Sequence, residues 1–386
     1  MNAILSVVVP TKNRYFYLDF LLRYFVSIES KRIELIIQDN SDDGSSEKIK
    51  ADLKRYNDIR IHYYQLDEEI SQTENCDLAI SRASGEYVTM IGDDDIFSKH
   101  LVDYCKIWND KGYEAVLPNK ASYVWNDVKP RLYKSMSGAL LLKEYTGVIS
   151  SIDATSLPMK ITSIGGTSIS NLPRVYHGII KKTILDKVYN DCGSYCPGPS
   201  PDIANGIALC KYLTNYVYVD YPFITSGQCQ NSAGGKGAQG HHYAEVRDVS
   251  QLPKDCALNW DKKIPFYWSG TTIYSESVLK ALKSLNMTKE LNSFNYEYMY
   301  AACLVFDWRY RSRIYKTIIK NIDELKAYMI TWYFISIMSA RVRFHLKTYL
   351  ITKLKNKILN KNQNIPASNT LQVARILDRE FKPINY

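Results

Sequence analysis

Four short runs rich in β-branched and other apolar residues punctuate the first hundred positions: Leu5–Val9, Ile33–Gln38, Ile59–Tyr64 and Tyr87–Ile91. Between them, apolar residues recur at helical spacing. Tyr17, Leu18, Leu21, Leu22 and Phe25 mark the first such segment, Ile49 and Leu53 the second, and Cys76, Ala79, Ile80 and Ala83 the third. Strands alternating with helices imply right-handed crossovers and a parallel sheet. The expected class is therefore α/β and Rossmann-like, a mostly parallel sheet flanked by helices. Ligands of such sheets bind beyond the carboxyl ends of the strands. That edge carries three polar clusters: Pro10 to Arg14, Asp39 to Asp43, and Asp93 to Asp95.

Three adjacent carboxylates at one strand end repel one another and are costly unless a cation is held there. Oxygen ligands suit a hard divalent ion, Mn2+ or Mg2+, that also binds phosphate; a solvated acidic turn is the simpler alternative. The rim residues suggest a nucleotide. Asp39 offers acceptors to a base edge, although it also suits a turn cap, and Thr11 and Asn13 stand where the first strand turns into a helix. No GxGxxG follows that strand, and Gly234–Gly237 lacks P-loop spacing, which argues against both of those nucleotide folds.

Residues 6–14 (SVVVPTKNR), 35–45 (LIIQDNSDDGS), 75–86 (NCDLAISRASGE) and 87–95 (YVTMIGDDD) resemble, in order and spacing, family 2 glycosyltransferases of the GT-A fold. The resemblance implies transfer of a sugar from a nucleotide sugar, UDP-linked, to a saccharide hydroxyl with inversion, assisted by Mn2+ or Mg2+. It implies nucleotide-binding roles for Pro10, Thr11, Asn13, Arg14, Asp39 (on the base), Asn75, Asp93 (near the ribose) and Asp94. Asp95, with Asp93, would be the metal ligand. The stretch Arg174–Lys181 resembles the acceptor half of members that make bacterial surface polysaccharides such as O-antigen and capsule. Tyr176 and His177 would there contact sugar rings by stacking and hydrogen bonding; a packed strand histidine is the alternative for His177.

A departing diphosphate gains negative charge that a metal stabilises, and the acceptor hydroxyl needs a general base opposite it. Asp202, within Pro197–Leu209, is the best-placed carboxylate for that role, since neighbouring prolines stiffen the approach and Pro201 suits a helix entrance. The Pro-Asp pair resembles the family's base, with Pro where many members carry a first acid. Read without the resemblance, Asp202 is also an ordinary helix-starting acid. Ile224 to His242 is rich in Gly and small polar residues and reads as a mobile loop closing over the donor. His241 or His242, in that segment, could complete the metal shell.

Charge is unevenly spread. Residues 309–363 hold 13 Lys and Arg against Asp323 and Glu324, a net +11, while everything before them is near −3. The apolar run Tyr328–Met338 is too short to span a bilayer, which takes about 20 residues. Val342, Leu346, Leu350, Leu354 and Ile358 recur every fourth position beside Lys347, Lys353, Lys355 and Lys357. This predicts a basic amphipathic helix on an anionic membrane surface, which suits a lipid-linked acceptor, or helices packed on one another or on a second copy in a homo-oligomer. The acidic front half argues against nucleic acid as a partner.

Eight cysteines without a CxxC pair, and a start that runs directly into the first strand, point to a reduced cytoplasmic protein, peripheral on the inner face of the plasma membrane. The expected organisation is a nucleotide-sugar half (1–97), an acceptor half (98–245), a connector (246–265) and a helical C-terminal region (266–386). Within the last, helices begin at Ser275–Leu285, and a polar linker, Asn360–Ser368, precedes a final helix. Two other classes compete. A nucleotidyltransferase would place a Gly-rich basic loop where Pro10–Arg14 stands, and a non-catalytic sugar-binding or scaffold protein would not need the acidic triplet.

Overall fold

The computed structural model describes residues 3–129, 136–238, 243–358 and 364–381. Strand β1 (Leu5–Thr11) leads into helix α1 (Tyr15–Val26). The alternation continues through β2 (Ile33–Asp39), α2 (Ser45–Tyr56), β3 (Ile61–Gln65), α3 (Gln72–Ser81) and β4 (Tyr87–Met90). β1 pairs in parallel with β2 and β4, and β2 with β3. Successive side chains of a strand face opposite sides of the sheet, so Leu5, Val7 and Val9 enter one hydrophobic core and Val8 the other. Thr11 lies in register with Asp39 and Val8 with Met90, which brings the three polar clusters to one edge.

Beyond β4 the chain forms β5 (Ile96–Phe97), α4 (Leu101–Asp110), β6 (Ala115–Pro118), β7 (Ala121–Val124), β8 (Ala139–Leu141) and β9 (Ile149–Ile152). There follow α5 (Leu157–Ser163), β10 (Ile179–Lys181), α6 (Lys182–Cys192), α7 (Pro201–Leu209), β11 (Tyr216–Val219) and β12 (Ile224–Gln228). The main sheet has eight strands in the order β3-β2-β1-β4-β10-β6-β11-β9. β10 runs antiparallel to both neighbours, so the sheet becomes mixed past β4.

The segment Ile224 to His242 is not a loop throughout. Its first part is β12, which pairs with β5 and β7, and its middle is the short helix α8 (Ala233–Ala238). The glycine content misleads because Gly227 serves a close approach: a Cβ there would lie 1.8 Å from the Asp94 carbonyl oxygen. His241 and His242 lie outside the described residues.

Helix α9 (Gly270–Ser284) begins before the expected Ser275, because Ser269 and Thr272 form a capping box. α10 (Thr288–Asn292), α11 (Tyr296–Phe306), α12 (Arg311–Lys320) and α13 (Ala327–Ile358) follow. α9 packs on α7 and α13 on α11. Part of the expected polar linker is a strand, β13 (Asn364–Pro366), which pairs with β8 and completes a second sheet, β13-β8-β7-β12-β5. The last helix, α14 (Thr370–Glu380), then packs on α1. All eight cysteines are free. Among the described residues, no helix is long and apolar enough to cross a membrane.

Candidate active site

The turn after β4 buries all three aspartates, yet gives each a different set of partners. Asp95 takes three donors. Its Oδ1 accepts from Gly227 N (2.7 Å) and its Oδ2 from Gly92 N (2.6 Å) and from His177 Nε2 (2.6 Å). His177 arrives because Val175–His177 runs beside the end of β4, with Met90 N donating to Val175 O and His177 N to Met90 O, each 2.9 Å. It holds a left-handed φ of 61°, uncommon outside glycine. Lys120 Nζ lies 2.9 Å from its Nδ1, which leaves the ring proton on Nε2, facing Asp95. Burial and the neighbouring Lys120 push His177 down to about 4, against the pull of Asp95. Burial also raises Asp95, but His177 and the two amides outweigh it and hold the carboxyl below the usual range.

Asp93 Oδ2 accepts from Thr11 Oγ1 (2.6 Å) and pairs with Arg14 Nε (3.0 Å), while its Oδ1 is buried without a partner. Burial raises its pKa against the opposing pull of Arg14. Asp94 Oδ2 accepts from Cys229 N (3.0 Å), and Oδ1 lies 3.8 Å from Arg14 Nη1. Burial and the flanking carboxylates push Asp94 up to about 7, although Arg14 pulls it down. A carboxyl so disfavoured as an anion gains most from a further cation.

A cavity of ≈ 210 Å³ is lined by Asp94, Arg14, Tyr176, Asp202, Trp268 and Tyr274 among others, and neither Asp93 nor Asp95 reaches it. The expected metal ligand Asp95 is thus turned inward, and Asp94, itself buried, is the triplet member that lines the cavity. A metal at Asp95 would have to share a carboxylate that already takes three donors. Among the described residues, no group of three His, Cys, Asp or Glu could hold an ion. What the residues fit is a hard ion held by the Asp94 carboxylate together with donor phosphates, the mode Mg2+ commonly adopts.

Asp202, at the start of α7, lines the same cavity as Asp94. Its Oδ1 accepts from Ser200 Oγ (2.7 Å) and Ile203 N (2.8 Å), and its Oδ2 from Tyr274 OH (3.4 Å). Tyr176 also lines the cavity, stacked on His177 with ring centroids 3.9 Å apart. His177 itself is 1 % exposed, and of the two residues expected to contact a sugar only Tyr176 lines the cavity.

A second, adjoining cavity of ≈ 340 Å³ brings together Pro10, Thr11, Asn13, Arg14 and Asn75, with Lys12, Lys236 and Gln251. Asp39 does not join them. Ser41 N (2.8 Å), Ser46 Oγ (2.8 Å) and Tyr63 OH (2.7 Å) take up its two oxygens, and it is completely buried. Sequence reasoning missed Trp268, Tyr274 and Gln251, which lie far from the motifs along the chain. It passed over Lys12 too, although Lys12 stands inside the motif.

Residues 6–176 match the family model described as Glycosyl transferase family 2. Over that stretch the chain is similar to family 2 glycosyltransferases. The mixed sheet and its flanking helices are those expected of a GT-A fold, with a helical region C-terminal to them. A curated relative named Glycosyltransferase GlyG, from Streptococcus pneumoniae serotype 4, is 29% identical over 130 residues, which cover 33% of this chain and 42% of the relative. The GalNAc(5)-diNAcBac-PP-undecaprenol beta-1,3-glucosyltransferase of Campylobacter jejuni is 29% identical over 117 residues, covering 30% and 37%. The chain thus matches about two-fifths of the length of these relatives. Among solved structures, S. aureus TarS 1-349 in complex with UDP-GlcNAc aligns with a TM-score of 0.49 and 14% identity over 87% of this chain and 92% of that one. The mannosyltransferase PcManGT of Pyrobaculum calidifontis, solved with GDP-Man and Mn2+, aligns with a TM-score of 0.43 and 11% identity over 93% and 88%.

Proposed function

We propose that this chain is an inverting glycosyltransferase that moves a sugar from a nucleotide sugar to a saccharide hydroxyl in bacterial surface-polysaccharide assembly. The observation that carries this reading is that Asp94 and Asp202 line one cavity, beside a second cavity built from the rim residues of β1 and α3. The family resemblance supports a UDP-linked donor, and the name of the Campylobacter jejuni relative supports a polyprenyl-diphosphate-linked acceptor.

The donor's nucleotide and diphosphate would occupy the cavity of Pro10, Thr11, Asn13, Arg14 and Asn75. Arg14, oriented by Asp93, offers a fixed positive charge to the leaving diphosphate. Asp202, steadied by Ser200, the Ile203 amide and Tyr274, takes the proton of the acceptor hydroxyl as its oxygen attacks the anomeric carbon. Attack from the face opposite the diphosphate inverts that centre. A bound Mn2+ or Mg2+, with Asp94 as its protein ligand, would supply Lewis-acid stabilisation of the diphosphate charge.

The test is a panel of nucleotide sugars screened for thermal stabilisation and for hydrolysis with Mn2+ or EDTA. One donor is expected to raise the melting temperature and to be hydrolysed only with the ion. Failure of every nucleotide sugar in both assays overturns the reading, and turnover undiminished in EDTA removes the metal from it.

A further inference from the structure

We propose that the outer face of α13, with the corner where it meets the end of α11, is a docking surface for an anionic lipid bilayer that opens onto the cleft containing Asp202. The docking stands on the surface alone; delivery of a lipid-linked acceptor rests on the transferase reading.

The run Tyr328–Met338, one apolar block in the sequence, is divided by the helix between two sides. Ile330, Tyr333, Phe334 and Ile337 turn toward the core, and Tyr333 OH accepts from Asn295 Nδ2 at 3.1 Å. Tyr328, Trp332 and Ile335 point the other way and continue into Val342 and Leu346, each of the five at least half exposed. Their spacings of four, three, seven and four place them on one strip of a 3.6-residue helix, about 27 Å long. An apolar strip of that extent marks an interaction site, and Trp and Tyr are the side chains that favour a membrane–water boundary.

Charge selects the occupant. Arg341, Arg343 and Lys347 are exposed on the same stretch, inside a region of net +11. Two copies meeting through this face would bring like charges together, whereas an anionic leaflet neutralises them.

Contacts on the inner side of the same helix lead to the cleft. The Arg341 guanidinium lies over the exposed Phe306 ring, 5.3 Å from its centroid. Phe306 O accepts from Tyr243 OH at 3.1 Å. Tyr243 lines a ≈ 400 Å³ cavity together with Trp268 and Gln251, and those two residues also line the Asp202 cavity. Gln251 and Trp268 thus join the Tyr243 cavity to that of Asp202, the route proposed for a saccharide whose lipid stays in the leaflet.

The experiment is flotation of the full chain with vesicles of phosphatidylglycerol and phosphatidylcholine, against phosphatidylcholine alone. Binding is expected to be at least about tenfold stronger to the anionic vesicles and to weaken in about 0.5 M NaCl. Trp332→Ser with Leu346→Ser should lose about tenfold or more with an unchanged circular-dichroism melt, because both side chains are exposed. Arg341→Glu with Arg343→Glu tests the charge independently, at about fivefold or more per position. Equal binding to both vesicles, binding to neither, or binding that either folded variant leaves intact overturns the proposal. So does light scattering that shows a dimer which the Trp332→Ser, Leu346→Ser variant converts to monomers, since the face is then an interface between copies. For delivery, the same variant should keep turnover of a short soluble acceptor and lose that of a vesicle-embedded one; equal loss of both overturns the delivery role while leaving the docking result in place.

Discussion

His177 Nε2 lies 2.6 Å from Asp95 Oδ2, and this contact divides the labour of the acidic triplet. With two backbone amides on the same carboxylate, Asp95 is a buried clamp between the end of β4, β12 and the Val175–His177 segment. Asp94 is left to face the cavity.

Replacing His177 by Ala should therefore act on stability first. It removes one of three donors to a buried carboxylate and strands the Lys120 ammonium, at a cost of about 1–3 kcal/mol. A fall in the urea midpoint at unchanged slope is the expected result. An unchanged midpoint would show that the Gly92 and Gly227 amides suffice.

Asp94→Asn and Asp95→Asn should separate chemistry from folding. Asp94→Asn removes a carboxyl that burial already disfavours as an anion, so its melting temperature should hold or rise while turnover falls by about 10²–10³, the scale of one lost electrostatic stabiliser. Asp95→Asn places an amide N–H against the Gly92 or Gly227 amide and should lower the melting temperature. Calorimetry beside a turnover assay decides, and the reverse pattern would return the metal to Asp95.

Asp202→Asn should retain donor binding, read by calorimetric titration with the nucleotide sugar, and lose transfer by about 10²–10⁴. Equal loss of donor affinity would mark Asp202 as a donor contact or a structural residue.

Glu276 on α9 provides a pH prediction away from the cleft. Burial raises its carboxyl to about 7, against hydrogen bonding from Asp261 N and the pull of Lys280. In the unfolded chain it returns to the ordinary value near 4.5. Between these values the folded state binds more protons than the unfolded one, so stability falls as pH rises. The contribution is complete below about 4.5 and gone above about 7, and amounts to at most about 3 kcal/mol. Glu276→Gln should gain on the wild type in melting temperature from pH 5 to pH 8, and a constant difference across that range would refute the assignment.

Much of the architecture was legible because it is written locally. The β-branched runs at Leu5, Ile33 and Tyr87, with the helical spacing between them, depend on neighbours within a few residues, and they place Pro10–Arg14 and Asp93–Asp95 on one edge without long-range information. The start at Ser269 is also local, since a capping box spans only Ser269 to Thr272, although Ser275 offers a competing start signal. Asn364–Pro366 was not, because a short polar segment becomes a strand only where β8 offers an open edge.

The same limit governs the site. The sequence by itself determined that three carboxylates stand at the end of β4, that Pro10–Arg14 shares their edge, and that Asp202 opens a proline-led helix. Only the tertiary structure decided which aspartate lines the cavity, because Asp95 is engaged by His177 and Gly227, 82 and 132 residues away. It likewise closed Asp39 through Tyr63 and divided Tyr328–Met338 between core and solvent. A side chain's chemistry is set by its residue type, but its availability is set by the donors and apolar atoms that packing brings to it, and those come from distant parts of the chain.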